Sequence, residues 1–431
     1  MTQMASPTVG LSALGGYGQE YLGALLDLHD QRRLRLIGGI DPHPERCSRL
    51  NELRARCVPI YPNLTELYRE HRPDLLIVSA PIHEHASQTC FGLGHGSHVL
   101  CEKPAAATVQ EVDQMIAARD NAGKVVAIGS QWSFDPSILR LKQDIMAGRF
   151  GRPRRLTSVV LWPRTHSYYT RNTWAGRQRT DNGAWVLDSP VNNATAHYLH
   201  NMLFLLGNRL DRSVAPLSVQ AELYRANTIE NYDTAAMRIW VEGNIEILFY
   251  SSHAVKEHIG PTLRAEFEHA VIRMDGLHER LVAYLESGAE IDYGIPHNGV
   301  KGKLHAMLEA ILYGAPVSCG IEAARAHTIC VNGAQECVDD ITIFDSSCIE
   351  EIDTPEGRLT YVQGLAAALQ TCAQAGKLPA EIGFDWACAG CVVNLRGYSA
   401  FQKATPDKLR LDNKPFTWHK HPSHLFLTFT R

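Results

Sequence analysis

The sequence has little net charge and no long apolar segment. Its 42 lysines and arginines stand against 46 aspartates and glutamates, a formal net charge of −4 over 431 residues. This balance offers nucleic acid no basic face, and no apolar run reaches the ~18 residues of a membrane span. The first residues lack the basic and apolar regions of an export signal, and eleven cysteines are few for this length. We expect a reduced, cytoplasmic globular protein that binds neither nucleic acid nor membrane.

Residues 1–130 contain apolar runs that alternate with helical patterns. Strand-like runs at Pro7–Leu11, Leu34–Ile40 and Leu75–Ala80 are separated by segments with apolar residues at helical spacing, and Pro44–Arg56 is one such predicted helix. This alternation predicts an α/β fold in which helices cover both faces of a parallel sheet. We therefore predict an N-terminal Rossmann-type domain over residues 1–130.

From residue 131 to the end, strand-like segments follow one another with little helix between them. They are Arg155–Trp162, Ser218–Tyr224, Thr234–Trp240, Ile245–Ser251, Arg264–Met274 and Val282–Leu285. This order predicts a large, open, mostly antiparallel sheet. Helices are predicted at 189–206, 303–313, 321–336 and 360–375, so residues 131–431 are expected to form a second α/β domain for substrate binding and oligomerisation.

A glycine-rich turn follows the first predicted strand. Residues 13–18 read ALGGYG and match G-x-G-x-x-G, except that Ala13 replaces the first glycine. Gly15 would let a pyrophosphate approach the backbone, Gly18 would let the helix pack closely on the strand, and Ala13 can form the turn if its φ stays negative. A plain strand–helix turn is the alternative. The motif predicts dinucleotide contacts from Ala13, Gly15, Gly16, Tyr17 and Gly18.

A carboxylate ends the second predicted strand. Asp41 stands where an acidic side chain can accept hydrogen bonds from both ribose hydroxyls and repel a 2′-phosphate. This favours NAD as the cofactor. Arg46, one turn further along, leaves NADP possible.

The segment DLLIVSAPIHEHASQTCFGLGHGSHVLCEKP, residues 74–104, resembles one stretch of a known family. That family is the glucose–fructose oxidoreductase, inositol dehydrogenase and MocA (Gfo/Idh/MocA) family, which shows Pro-x-x-x-His and Glu-Lys-Pro here. The resemblance extends to about Glu336. It implies oxidation or reduction of a sugar or cyclitol hydroxyl with NAD(P), and homodimers or homotetramers that pair through exposed sheet faces. It further implies cofactor contacts from Ala80, Pro81, His85, Glu102, Lys103 and Gln131.

Lys103 is the first predicted catalytic residue. At the carboxyl end of a parallel strand, its ammonium can hold a substrate hydroxyl and stabilise the alkoxide that develops as hydride leaves. Glu102 can accept from a cofactor ribose. A surface turn with an incidental salt bridge is the alternative.

The family also carries Asp-x-x-x-His on a helix, and two alignments compete. If Asp188 is aligned with the Asp of the family motif, no proton carrier stands at the His position. If His197 is aligned with the His of the motif, Asn193 stands at the Asp position. We favour the second, because an imidazole can accept a proton near neutral pH. Asn193 and His197 would share a helical face, so Asn193 is a candidate catalytic residue that can orient His197 or bind a substrate hydroxyl. Asp188 is a further candidate catalytic residue, and a cap at the helix start is its alternative role. His200 is either a supporting or a structural residue.

An aromatic and arginine-rich loop precedes this predicted helix. Aromatic faces and guanidinium groups suit a polyol, although a packed loop with surface arginines is the alternative. Predicted substrate contacts are Tyr168, Arg171, Trp174 and Arg177, together with Asn193 and His197.

Two other features carry little weight, and three functions remain open. Cys388 and Cys391 form a lone C-x-x-C pair without a second pair, and no metal site is predicted. The leading function is an NAD-dependent oxidoreductase with Lys103 and His197 as catalytic residues. A redox-neutral glycoside cleavage through a transient ketone is the runner-up, and a non-catalytic dinucleotide sensor is the third.

Overall fold

The computed structural model describes residues 6–297 and 299–403. A first sheet of six parallel strands is formed early in the chain, in the order β3-β2-β1-β4-β5-β6. This is the strand order of a dinucleotide-binding fold, and it confirms the predicted Rossmann-type architecture. The strands are β1 (Thr8–Ser12), β2 (Arg35–Ile40), β3 (Ile60–Tyr61), β4 (Leu75–Val78), β5 (His98–Cys101) and β6 (Val126–Ile128).

Six helices connect and follow these strands, and local capping explains several of their ends. Thr108 and Glu111 form a capping box at the start of α5, which Gly123 ends in a left-handed conformation. The helix predicted over Pro44–Arg56 is confirmed only in its last part, because a short 3-10 turn and an irregular link precede α2. The helices are α1 (Gly18–Asp30), α2 (Leu50–Ala55), α3 (Leu64–Glu70), α4 (His85–Gly94), α5 (Val109–Ala122) and α6 (Pro136–Met146).

A second sheet of ten strands confirms the predicted, mostly antiparallel sheet. Its order is β14-β13-β12-β11-β7-β10-β9-β8-β15, with β18 also paired to β8, and only β7–β10 and β8–β15 are parallel. The strands after β6 are β7 (Pro153–Leu161), β8 (Pro216–Arg225), β9 (Thr234–Val241), β10 (Ile245–Ser252), β11 (Leu263–Phe267), β12 (Ala270–Met274), β13 (Leu281–Leu285), β14 (Glu290–Gly294), β15 (Thr342–Ile343), β16 (Ile349–Thr354), β17 (Gly357–Val362) and β18 (Val392–Asn394). The single strand predicted over Arg264–Met274 is the hairpin β11–β12.

Two helices of this half depart from the prediction. The helix expected from residue 189 begins at Ala196, and residues 189–195 form turns. The helix expected over 360–375 is the end of β17 followed by α11, since Gly364 with φ 73° separates them. The helices are α7 (His166–Thr170), α8 (Ala196–Leu205), α9 (Lys301–Tyr313), α10 (Ile321–Glu336), α11 (Leu365–Ala375) and α12 (Pro379–Ile382).

Both faces of the central strands of the second sheet are covered. One face packs into the main core with α8 and α10. On the other face, Tyr224, Ala236 and Leu248 pack against Leu365 and Leu369 of α11. We call residues 344–386 the C-terminal cover. The C-terminal cover occupies this face over strands β7, β8, β9 and β10. Two copies of the protein therefore cannot pair through that part of the sheet.

Charged side chains lie beneath the C-terminal cover. Arg238 of β9 is only 10% exposed, pairs with Glu246 at 2.6 Å and donates to Glu381 of α12. Arg155 also pairs with Glu246 at 2.6 Å. The covered face therefore combines an apolar patch with a buried ion network.

Three further features concern the part of the chain that is described. None of its helices is long and apolar enough to cross a membrane. All eleven cysteines are free thiols, and Cys388 and Cys391 are exposed. Within 6–297 and 299–403, no group of three or more His, Cys, Asp or Glu side chains is arranged to hold a metal ion.

Candidate active site

The glycine turn lies between β1 and α1. Ala13 has a φ of 66°, so the expectation of a negative φ is wrong, and alanine adopts the left-handed conformation that favours glycine. A Cβ at Gly18 would lie 1.9 Å from the Ala13 carbonyl oxygen, whereas one at Gly15 would meet nothing within 4 Å. Gly18 is thus required for packing, and the backbone at Gly15 borders open space.

This turn fits a dinucleotide pyrophosphate. Helix α1 begins at Gly18 without a side-chain cap, so the positive end of its dipole is available to a phosphate group. Behind the turn, Ser79, which directly follows β4, has a buried hydroxyl without a hydrogen-bond partner among the described residues. The open approach at Gly15, the helix terminus and this free hydroxyl suit an anionic cofactor.

Asp41 lies at the rim of the same turn. One carboxylate oxygen accepts from the backbone amides of Leu14 and Gly15 at 2.9 and 3.3 Å, and the other accepts from His43 at 2.8 Å. These bonds fix a carboxylate beside the space in front of the turn. Arg46 is exposed in the 3-10 turn that follows β2.

Glu102 forms a buried ion pair that the sequence interpretation missed. One carboxylate oxygen accepts from Tyr21 at 2.7 Å and from Lys303 of α9, while the other accepts from the Lys103 amide at 3.1 Å. The side chains of Glu102 and Lys303 are 7% and 0% exposed. Burial would raise the pKa of Glu102, but the Lys303 ammonium and the hydrogen bonds lower it below its usual value. Glu102 is therefore ionised.

Tyr17 and Gln131 meet above this ion pair. The Tyr17 hydroxyl donates to the Gln131 side-chain oxygen at 3.1 Å and lies 3.5 Å from the Lys303 ammonium. Burial and the nearby Glu102 charge raise the pKa of Tyr17. Tyr17 and Gln131, which were both predicted to contact the cofactor, thus lie next to the buried Lys303, and Tyr17 contacts it directly.

His85 ties two segments of backbone together. Its ring nitrogens lie 2.7 Å from the Pro104 carbonyl and 2.8 Å from the Ala80 carbonyl, and only 1% of the residue is exposed. Both nitrogens face protein carbonyls, and the neutral ring donates to one of them. The geometry gives His85 a structural role at the carboxyl end of β4, next to Pro81, rather than a direct contact with a cofactor.

Lys103, Asn193 and Asp188 form a series of hydrogen bonds, which we call the Lys103 chain. The Lys103 ammonium donates to the carbonyl and the side-chain oxygen of Asn193 at 2.7 and 3.2 Å, and Asn193 donates to Asp188 at 2.7 Å. Burial lowers the pKa of Lys103 to about 8, with Glu102 acting in the opposite direction. At neutral pH the side chain is therefore mainly an ammonium, and its pKa is about one unit above neutral pH.

Asp188 belongs to this chain and does not cap a helix, because α8 begins at Ala196. Its second carboxylate oxygen accepts from the Gly176 amide at 2.7 Å and lies 3.7 Å from Arg171. Burial raises the pKa of Asp188, while Arg171 and the hydrogen bonds act against this rise. Asn193 lies in the turn before α8, so Asn193 and His197 do not share a helical face as predicted.

His197 lies on the first turn of α8 with an unpartnered ring nitrogen. Nδ1 is buried and has no hydrogen-bond partner among the described residues. Burial, followed by the charges of Lys103 and Lys303, lowers the pKa of His197 well below its usual value, so the ring is neutral. His200 instead contacts the Ser133 hydroxyl at 2.9 Å within the core, which indicates a structural role.

In the aromatic and arginine-rich loop, Arg171 contacts the Lys103 chain, whereas Arg177 does not. Arg171 pairs with Asp188 and lies 3.7 Å from the Tyr168 ring centre and 5.3 Å from that of Trp174. Arg177 instead pairs with Asp181 and is 40% exposed. Sequence reasoning also missed Arg164, whose guanidinium carbon lies 5.1 Å from the Tyr168 ring centre.

Comparison with known proteins supports the interpretation of the first sheet. Residues 8–130 match the GFO_IDH_MocA family model, described as an oxidoreductase family with an NAD-binding Rossmann fold. The protein is 30% identical over 33% of its length to 1-carboxy-3-chloro-3,4-dihydroxycyclohexa-1,5-diene dehydrogenase of Comamonas testosteroni, of which 36% is covered. It is 25% identical over 42% of its length to inositol 2-dehydrogenase 1 of Saccharopolyspora erythraea, of which 57% is covered. The alignments thus span between about a third and six tenths of these relatives.

A solved structure shares the fold over most of the chain. The WlbA dehydrogenase of Bordetella pertussis, solved with NADH and UDP-GlcNAcA, superimposes with a TM-score of 0.63 at 19% identity. The match covers 77% of this chain and 97% of that one. The two-sheet architecture is therefore shared, and part of this chain has no counterpart in that structure.

Proposed function

We propose, from the premise that the nucleotide-binding domain of this chain belongs to the Gfo/Idh/MocA family, that the protein is an NAD(P)-dependent oxidoreductase. Its substrate is a sugar, a cyclitol or a related polyol, which reacts at a secondary hydroxyl. The observation that carries this proposal is the Lys103 ammonium, held by Asn193 at the carboxyl end of a parallel strand. Ligands of open α/β sheets bind at this end.

The cofactor would be held by the glycine turn, Asp41 and the Tyr17–Gln131 pair. When bound, NAD(P) supplies the acceptor or donor of hydride. Asp41 favours NAD, because its carboxylate suits ribose hydroxyls and repels a 2′-phosphate.

Lys103 would bind the reacting oxygen. An ammonium has three N–H donors, and Asn193 accepts from it at two oxygens, so one donor remains for a substrate oxygen. This charge would stabilise an alkoxide as it develops. The chain through Asn193 to Asp188 would fix the direction of the ammonium.

His197 would accept the hydroxyl proton. Its low pKa keeps the ring neutral at neutral pH, and its unpartnered Nδ1 has no competing protein contact. A neutral imidazole can accept a proton, which is the role of a general base.

The test is a survey of sugars and cyclitols with NAD and NADP, monitored by absorbance of the reduced nicotinamide. We expect substrate-dependent reduction, its loss in Lys103→Met, and no change in the control Lys301→Met, which alters an exposed lysine of α9. NAD affinity of Lys103→Met should stay within a few-fold of the wild type.

The same survey separates the other functions. Release of a sugar from a glycoside without net reduced nicotinamide would instead support redox-neutral cleavage. Cofactor binding without conversion of any compound would contradict an enzyme and favour a sensor.

A further inference from the structure

We infer that the substrate carries a carboxylate, as in a uronic or other sugar acid, and that Arg164 binds this group. The inference rests on the proposed function and adds the charge of the substrate to it. Its basis is an arginine beside the Lys103 chain that has no acidic partner in the described part of the protein.

Arg164 follows β7 and is half-buried. Its backbone amide donates to the His253 carbonyl at 3.2 Å, and one guanidinium nitrogen donates to the Pro163 carbonyl at 3.1 Å. Its Nε is buried without a hydrogen-bond partner. Over residues 6–297 and 299–403, no carboxylate lies within ion-pair distance of this guanidinium.

The Tyr168 ring lies near both Arg164 and Arg171. The guanidinium carbons of Arg164 and Arg171 lie 5.1 and 3.7 Å from the Tyr168 ring centre. Arg171 pairs with Asp188, which Asn193 connects to Lys103. Tyr168, Arg171, Asp188 and Asn193 thus connect Arg164 to Lys103, and we place a second polar group of the substrate at Arg164.

Arg164 is a cation near this space with no acidic partner among the described residues. Glu102 is paired with Lys303, Asp188 is paired with Arg171, and both carboxylates also act on Lys103. Lys103 is assigned to the reacting hydroxyl. A neutral sugar would leave the guanidinium of Arg164 partly desolvated without a counter-charge, whereas a carboxylate supplies the charge and planar geometry that guanidinium binds best.

One feature favours a carboxylate over a phosphate. Arg164 is one guanidinium without an acidic partner among the described residues, which matches one negative charge, while a phosphate ester is close to doubly charged at neutral pH. The Tyr169 hydroxyl, also buried without a partner, provides a neutral donor next to Tyr168. Two donors of this kind suit the two oxygens of a carboxylate.

The experiment compares acid and neutral sugars in matched pairs. Binding of D-glucuronate and D-glucose, and of D-galacturonate and D-galactose, is measured by calorimetry on the full chain saturated with NADH. We expect the acid of at least one pair to bind roughly 10- to 100-fold more tightly, which is the usual worth of a hydrogen bond to a charged group. Arg164→Met should remove the difference, and Arg164→Lys should restore part of it.

The control is Arg152→Met, which removes an arginine outside the site whose side chain is 88% exposed and already paired with Glu268. It should leave the preference for the acid unchanged. Equal binding of acid and neutral sugar in both pairs, or no binding of either, would overturn the inference. Tighter binding of D-glucose 6-phosphate than of either acid would overturn the choice of a carboxylate.

Failure of the inference can be told apart from failure of the proposed function. Equal turnover of neutral and acidic sugars would keep the oxidoreductase and reject the role of Arg164. Arg164-dependent binding of an acid, without hydride transfer to any cofactor, would keep the carboxylate site and reject the oxidoreductase.

Discussion

The buried pair of Glu102 and Lys303 allows a direct test of the site's energetics. In Lys303→Met, Glu102 would keep the donors Tyr21 at 2.7 Å and the Lys103 amide at 3.1 Å. In Glu102→Gln, Lys303 would lose its counter-charge, while the glutamine oxygen, the Gly129 carbonyl at 3.3 Å and the Tyr17 hydroxyl at 3.5 Å would remain as neutral oxygen contacts. Breaking a buried pair lowers the free energy of unfolding by about 3–5 kcal/mol. We expect a loss of about 3 kcal/mol in Lys303→Met and of about 4–5 kcal/mol in Glu102→Gln.

The double variant distinguishes a paired charge from two unrelated losses. With both charges removed, neither is left buried alone, so the double variant should be more stable than the sum of the single effects predicts by at least about 2 kcal/mol. Urea unfolding followed by tryptophan fluorescence measures all four proteins. Single effects that add within about 0.5 kcal/mol would refute the pairing argument.

A pH series adds an independent readout for Glu102→Gln. Burial lowers the pKa of Lys303, so an unpaired Lys303 binds fewer protons in the folded than in the unfolded protein. The free energy of unfolding of this variant should therefore rise, relative to that of the wild type, as pH rises toward the pKa of an unfolded lysine. A difference from the wild type that does not change with pH would show that Lys303 keeps its charge without Glu102.

Four further predictions concern the cofactor turn and the catalytic chain. Because the pKa of Lys103 is about 8, kcat/KM for alcohol oxidation should fall as pH rises through that value, since the ammonium is lost; a rise would identify the amine as a base. Asp41→Ala should narrow the preference for NAD over NADP in fluorescence titrations, and tighter binding of NADP by the wild type would contradict the role of Asp41. His197→Ala should lower kcat about 10²- to 10⁴-fold; if this variant turns over while a folded Asp188→Ala does not, the proton leaves by another route. Ala13→Gly should raise the free energy of unfolding by about 1 kcal/mol, because glycine adopts the left-handed φ without cost; an unchanged urea midpoint would argue against strain at this position.

Much of the fold could be predicted because local patterns determine it. The Leu75–Val78 strand is buried on both faces, and its unbroken apolar sequence is typical of a parallel strand. The turn at residues 13–18 could be predicted from glycine chemistry, as Gly18 illustrates. The conformation of Ala13 could not, because nothing in the sequence shows that the surrounding turn enforces a positive φ.

The candidate site was only partly predictable because it depends on contacts between distant segments. Ser189-Pro190 resembles a helix start, but Asp188 accepts from Gly176 and Asn193, and these bonds accompany a turn rather than a helix. Lys303 lies in an ordinary helical pattern some 200 residues from Glu102. A single sequence contains no signal that brings these two charges together.

The order in which the second sheet is completed has a consequence for synthesis of the chain. Gln220 of β8 donates to the Gly390 carbonyl, 170 residues further along. At 5–20 residues per second, roughly 10 to 30 s pass between translation of these two positions. During that interval the C-terminal cover is incomplete and the apolar face it will bury is open to other nascent chains. Arg155, Arg238 and Glu246 lie on that face, and we expect their charges to hinder aggregation until the cover arrives.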